Sequence, residues 1–435
     1  MSRRRTWPVR RTDIGVTTQM PMSTWEPRAN SQRLKKPQMT DNGPHSGDGE
    51  QPELNDAKAT GTVDSSSLSH IGPVDPMMGP DALAELLVDG RESGLFTGAA
   101  AVIGDRDDHA VRTVGTEAGP GSAPVTEETR FDVASLTKPI VTTTIALRLL
   151  ERGMFDIGDV LGSYVPPLSG TPRGAIPVQT LLTHTSGLPP YKSFPFGWGS
   201  RESLMQSLYR SHLGLLSDPD EWFVYSDLNF VHLADALRRA TDASLTDLAA
   251  EHVFDPVGMT NSAMGPLDAA KDVAATRDYR WRERTLRGEI HDYIGAVMNG
   301  EGGNAGLFAT APELALFART LLTDGRVPES ADASAGRLLA PATVKRCRSD
   351  EISEADRPHG LGWRLAHEGA PAPQWSDSSF GHTGFTGCSL WIDPVRGRFV
   401  VLLTNRPFAT EETSPLAAFR TRFHAVAAAV PRMEF

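Results

Sequence analysis

Apolar positions along the chain follow two different spacings, and the change between them marks out the elements. From residue 80 onward Asp81 can cap a helix that carries Leu83, Leu86, Leu87 and Val88 on one side and ends near Gly90. The run Gly-Ala-Ala-Ala-Val-Ile-Gly over 98–104 is short, continuous and apolar, which predicts a buried strand. Residues 109–115 read as its hairpin partner across an Asp-rich turn. Ile140, Val141, Ile145, Leu149 and Leu150 recur at helical spacing and predict a helix over 139–152, stopped by Gly153. Between 155 and 355 the pattern is mostly helix and loop, with 233–239, 245–253 and 312–322 the clearest helical pieces. Two strands follow, 388–392 and 398–404, joined by the turn Asp393-Pro-Val-Arg-Gly397. A last helix fits 415–430, with Pro415 in its first turn.

Strands at both ends of this pattern with helices between them predict an α+β fold. One antiparallel sheet would be assembled from the two ends, flanked by helices, with a mostly helical domain inserted. The expected α/β part covers about 80–153 and 356–435, and the helical part about 154–355. A cleft between the two parts is where a ligand would bind. Residues 1–75 carry neither spacing and are rich in Ser, Gly, Pro, Asp, Asn and Gln, so they read as a disordered or loosely attached tail.

Composition narrows the function classes. The 435 residues are 39% hydrophobic and 22% charged, with a formal charge of -11. The excess acid argues against a nucleic-acid binder. There is no run of about 20 apolar residues to span a bilayer. The basic start, 1–11, lacks the apolar stretch of a secretory signal, so a cytoplasmic location is the default expectation. Met20, Met22, Met39, Met77 and Met78 offer later starts, which would keep a periplasmic location open. Cys347 and Cys388 read as two unpaired thiols, and no Cys/His spacing suggests a metal.

Candidate chemistry begins at Phe131-Asp-Val-Ala-Ser135-Leu-Thr-Lys138-Pro139. A Ser three residues before a Lys, opening an apolar helix, places both side chains on one face. The hydroxyl needs a nearby base, and a desolvated amine can serve. Free N–H groups at the helix start favour negative charge on an attacked carbonyl oxygen. Ser-x-x-Lys alone is common. Two further segments make it informative: Tyr225-Ser226-Asp227, and Gly381-His382-Thr383-Gly384 just before the C-terminal strand pair.

In this order the three segments resemble the SxxK, YxN and K/HTG elements of the serine β-lactamase and penicillin-binding-protein superfamily. The variant is closest to the branch of class C β-lactamases, DD-peptidases and related esterases. Leu181–Leu188, Gly306–Ala311, Gly360–Trp363 and Leu403–Arg406 extend the resemblance over about 80–430. It implies a five-stranded antiparallel sheet flanked by helices, no cofactor and no metal. Ser135 would form an acyl-enzyme, Lys138 would accept or relay its proton, and Tyr225 would pass the proton to the leaving group. The backbone N–H groups of Ser135 and Phe385 would form the oxyanion hole. Gly384 would keep a strand edge open for substrate, while His382 and Thr383 would line the site and contact a substrate carboxylate or its hydrogen-bond network. The substrate would be a small ester, amide or peptide.

Two positions depart from the pattern. Asp227 stands where Asn is usual, and an ionised Asp can only accept hydrogen bonds. It could instead pair with Lys138 and keep that amine protonated. His382 replaces the usual Lys and removes a permanent positive charge. Both departures point away from β-lactams and toward an esterase or peptidase. A DD-carboxypeptidase or D-aminopeptidase and a non-catalytic binding module are the rival readings. His184 and Ser186 lack a GxSxG elbow and read as loop braces. Tyr191, Phe194, Phe196 and Trp198 could wall an acyl pocket or pack a domain junction. His291-Asp292 reads as structural and Trp363 as core.

Overall fold

The computed structural model describes residues 81–190, 199–210, 214–268, 271–329, 332–352, 357–367, 371–409 and 414–430. The expected tail over 1–75 and the aromatic loop at 191–198 lie outside them.

Six strands form the main sheet: β1 (Gly98–Asp105), β2 (His109–Gly115), β3 (Arg364–Leu365), β4 (Phe380–Thr383), β5 (Ser389–Asp393) and β6 (Arg398–Thr404). Their order is β2-β1-β6-β5-β4-β3, antiparallel throughout. The first strand of the sheet along the chain therefore pairs with the last, Ala99 opposite Thr404 and Asp105 opposite Arg398. The two-residue β3 is a sixth strand beyond the five that the resemblance implied. Its partners on β4 are Phe380 and Gly381, so among the described residues no strand pairs with that edge of β4 beyond Gly381.

Period-two alternation divides each strand between two cores. Ala99, Ala101 and Ile103 of β1, with Val400 and Leu402 of β6, pack under α1 (Asp81–Glu92) and the C-terminal helix Ser414–Ala429. Ala100 and Val102, with Val401 and Leu403, face the larger core against the helical half. Cover on both faces explains why these strands read as continuous apolar runs rather than alternating ones.

Helix α1 runs past Gly90 to Glu92, because Gly90 is buried where a Cβ would meet the Phe96 and Phe419 rings at 2.7 Å. Val88 is 36% exposed and not part of the apolar side. At 100° per residue it lies well round the helix from Leu83 and Leu87. The helix expected over 139–152 divides into a π-helical stretch, Lys138–Thr143, and α2, Thr144–Glu151. Such π-stretches are frequent at functional sites. The helix expected over 233–239 is longer: α3 spans Asp227–Thr241 and is capped by Ser226, whose side chain accepts from the Leu228 N–H.

Short strands also form, most of them within the stretch where the pattern predicts mostly helix and loop. Phe131–Asp132, Leu307–Ala309 and Ala263–Met264 form a small antiparallel sheet, and Thr276–Asp278 pairs with Arg284–Leu286. Two- and three-residue strands are too short to show alternation. Trp363 is buried, stacking near Phe317 and edge-on to Phe380. Cys347 and Cys388 are buried free thiols. Among the described residues no helix is long and apolar enough to cross a membrane.

Candidate active site

Ser135 follows the strand Phe131–Asp132 in a tight turn, Ala134–Leu136. The turn places Ala134 at φ +50°, a conformation that costs a non-glycine residue roughly 1–3 kcal/mol. Hydrogen bonds hold it there. The Ala134 N–H donates to Asp132 Oδ1 at 2.9 Å, and Thr137 Oγ1 donates to the Ala134 carbonyl at 2.6 Å. Thr137 Oγ1 in turn accepts from the Leu307 N–H at 3.0 Å, which ties the turn to the small sheet.

Lys138 lies one turn on, fully buried at 0% exposure. Its Nζ is 3.0 Å from Ser135 Oγ, 2.8 Å from the Asn304 carbonyl oxygen and 2.6 Å from Asp227 Oδ1. The Tyr225 ring is 5.2 Å from the same nitrogen and the Phe230 ring 5.8 Å. Burial pulls the Lys138 amine down, but the Asp227 carboxylate and Tyr225 outweigh it and hold it above its ordinary value. Lys138 is therefore an ammonium at rest, as the Asp at 227 suggested. Tyr225 interacts with both Ser135 and Lys138. Burial raises its phenol above the usual value, Asp227 adds to this, and Lys138 opposes it.

His184 packs against the Tyr225 ring at 4.5 Å, and its Nδ1 accepts from the Ser226 N–H and Asn229 Nδ2. Ser186 Oγ contacts Asn229 Oδ1 and accepts from the Leu188 N–H. Both residues brace the loop behind Tyr225.

On the opposite wall, Gly384 abuts the Ser135 turn so closely that a Cβ would meet the Val133 carbonyl oxygen at 2.3 Å. Two arginines fasten the bend that follows. The Phe385 carbonyl accepts from Arg406 Nε at 3.1 Å and Nη2 at 2.6 Å. Arg420 donates to the carbonyls of Gly384, Gly387 and Cys388. The Phe385 ring, 51% exposed, stacks on His291 at 5.2 Å, and Asp292 caps a short helix by accepting from the Gly295 N–H.

His382 is buried, and its Nδ1–H donates to the Thr383 carbonyl at 2.9 Å. Its Nε2 is then an acceptor, buried without a partner among the described residues. Burial, followed by Lys138 and Arg364, pushes its pKa far below the usual imidazole value. A neutral His382 offers a substrate carboxylate no positive charge. Arg364 of β3 adds a cation beside Thr383, its Nη1 3.4 Å from Thr383 Oγ1.

Asp132 was missed by sequence reasoning, although it lies within the first motif. Its Oδ1 holds Ala134, its Oδ2 accepts from the His291 N–H at 2.8 Å, and its carbonyl accepts from Thr386 Oγ1 at 2.7 Å. One residue thus joins the nucleophile turn, the His291 loop and the bend after Gly384. Burial pushes its carboxyl up to about 6, against the pull of the two N–H donors. Asp132→Asn must turn an NH₂ toward one of those two N–H groups. It is expected to lower kcat by about 10-fold or more through loss of a buried hydrogen bond, in a steady-state ester assay. Arg364, Asn304, Arg406 and Arg420 were also unflagged as site residues, because only the fold brings them here. Among the described residues no three His, Cys, Asp or Glu side chains converge as metal ligands.

A family model described as Beta-lactamase matches residues 83–423, and the chain belongs to that family. It is a serine hydrolase of the β-lactamase type. A protein of Escherichia coli (strain K12), provisionally named D-alanyl-D-alanine carboxypeptidase, is 27% identical over 317 residues, covering 65% of this chain and 70% of that one. EstCE1, titled a hydrolase with promiscuous acyltransferase activity, superposes with TM-score 0.63 at 19% identity, covering 79% of this chain and 98% of that one. A mutant of a class C β-lactamase superposes with TM-score 0.63 at 17% identity over 78% of this chain and 96% of that one. At these identities the two structures show a shared fold.

Proposed function

We propose that the protein forms an acyl-enzyme on Ser135 and cleaves esters or amides, with small esters as its main substrates. The observation that carries this reading is Ser135 Oγ within 3.0 Å of Lys138 Nζ, with Tyr225 beside both. Ser135 attacks the carbonyl carbon, and Lys138 relays its proton. Tyr225 delivers a proton to the leaving group, a role worth about 10²–10⁴-fold in rate. The N–H groups of Ser135 and Phe385 receive the oxyanion, each worth roughly 10²–10³-fold. Thr383 and Gly384 offer the edge of β4 beyond Gly381 to the substrate. Asp227 is engaged by Lys138 and offers no donor to an acylamino carbonyl, and His382 is neutral. Both support an ester over a β-lactam. The test is mass spectrometry after fluorophosphonate treatment, alongside p-nitrophenyl esters and a labelled penicillin. An adduct on any residue other than Ser135 overturns the assignment.

Arg364 favours a second reading, a carboxypeptidase acting on peptides with a free carboxylate. The name of the Escherichia coli relative points the same way. Arg364→Gln is expected to lower kcat/KM for such peptides by about 10–100-fold, the worth of a hydrogen bond to a charged group. Neutral esters should change by less than about 3-fold. Loss on peptides alone selects the peptidase, whereas peptides that are never cleaved by wild type select the esterase.

A further inference from the structure

Besides the Tyr225 hydroxyl, three acceptors surround Lys138 Nζ, and two of them, the Asn304 carbonyl and the Asp227 carboxylate, can only accept. The third, Ser135 Oγ, can either accept or donate. The same heavy-atom arrangement therefore satisfies two proton distributions. In one, an ammonium donates to all three groups and Asp227 is ionised. In the other, the amine's lone pair accepts from the Ser135 hydroxyl, and Asp227 carries a proton. Passage between them needs no movement of the chain.

We propose that Asp227 is the final acceptor of the Ser135 proton, acting through Lys138; this rests on Ser135 being the nucleophile. During acylation the Lys138 ammonium passes a proton to the Asp227 carboxylate, the amine turns about Cε–Nζ so that its lone pair meets the Ser135 hydroxyl, and the Oγ proton moves to Nζ. The Oγ electron pair forms the bond to the carbonyl carbon, and the carbonyl π pair moves onto the oxyanion. When the intermediate collapses, the bond to the leaving group breaks with its electron pair. The leaving group takes the Tyr225 hydroxyl proton, Lys138 reprotonates Tyr225, and Asp227 returns its proton to Lys138. All three residues end as they began. Asn at this position could hold Lys138 by a hydrogen bond but could not take the proton.

The surroundings suit this role. Asp227 is the first residue of α3, directly after its Ser226 cap, which fixes the carboxylate against Lys138. Its side chain is 17% exposed, within reach of the cleft. Asp292 faces Asp227 and Lys138 from its own loop, held by Asn304 Nδ2 at 2.8 Å and the Gly295 N–H at 2.7 Å. Tyr225 lies on the adjoining side, and His184 and His382 face Lys138 from the loop and from β4. Arg364 faces Tyr225 and His382 rather than the carboxylate.

The test measures single-turnover acylation by p-nitrophenyl acetate from about pH 5 to about pH 10 in the full chain and in Asp227→Asn. The proposal expects the acidic limb to move up by about two pH units or more in the variant, since a buried amine must now lose its proton before it can act. The variant should be slower by about 100-fold at the acid end and recover to within about 10-fold at the alkaline end. If a free Lys138 amine is the base in the wild type, removing the carboxylate lowers its pKa and moves the limb down. A downward or absent shift overturns the proposal. A thermal melt of the variant near that of wild type confirms that it is folded. An unlabelled Ser135 in wild type would instead defeat the underlying reading, separately from the direction of the limb.

Discussion

Ser135→Ala is expected to slow ester hydrolysis on the order of 10⁴-fold or more, because the covalent route is lost and only binding and oxyanion stabilisation remain. The fold should survive. The substitution removes one oxygen from a partly exposed position, and Lys138 keeps the Asn304 carbonyl and Asp227 as partners. Asp132 and Thr137 still hold the turn through its backbone. The melting temperature should therefore move by no more than a few degrees, as for changes that create no cavity and leave no charge unpaired. Steady-state kinetics with a p-nitrophenyl ester check the first part, and fluorophosphonate labelling should be abolished in parallel. A variant that retains a tenth of the wild-type rate would remove Ser135 from the chemistry. Folding measured on the same sample separates lost chemistry from lost structure.

Acid should unfold the protein steeply below pH 6.5. His232, His359 and His424 are 1%, 4% and 2% exposed. Burial, aided by Arg173, Arg364 and Arg420 respectively, pushes their pKa values down to about 4, 4 and 3 from 6.5. Each folded value lies below the unfolded one, so the unfolded chain binds more protons between them. The stabilising contribution is complete above pH 6.5 and is lost as pH falls through the folded value. The slope is about 1.4 kcal/mol per pH unit for each group. Asp132 runs the other way. Its value is raised to about 6 from 3.8, so it stabilises the fold increasingly as pH falls across that window. Three histidines outweigh one carboxyl. Urea unfolding midpoints at pH 7 and about pH 5 test this, and equal midpoints would refute it.

The wall of the cleft shows where reading the chain reached its limit. Ser135 and Lys138 are three apart in sequence, so their meeting follows from helical geometry. Tyr225 and His382-Thr383-Gly384 were legible through their order along the chain and the family pattern. The consequence of Asp227 was half legible: a carboxylate there could pair with Lys138, and it does so at 2.6 Å. The neutrality of His382 rests on burial and on the Thr383 carbonyl, neither of which the sequence displays. Arg364 belongs to a two-residue strand with no periodicity, so nothing local announced that a cation would stand beside Thr383.

The sequence by itself determined the long elements and the pairing of chemistry within one helical turn. Both depend on local spacing: the apolar runs of β1 and β6, the helical repeat after Pro139, and the Ser-x-x-Lys step. Only the tertiary structure decided the charge state of the site. Lys138 is held as an ammonium by Asp227 from another helix, and Asp132 is buried under loops that are distant in the chain. Desolvation and through-space charge depend on what surrounds a group in three dimensions, and spacing along one chain carries no measure of either.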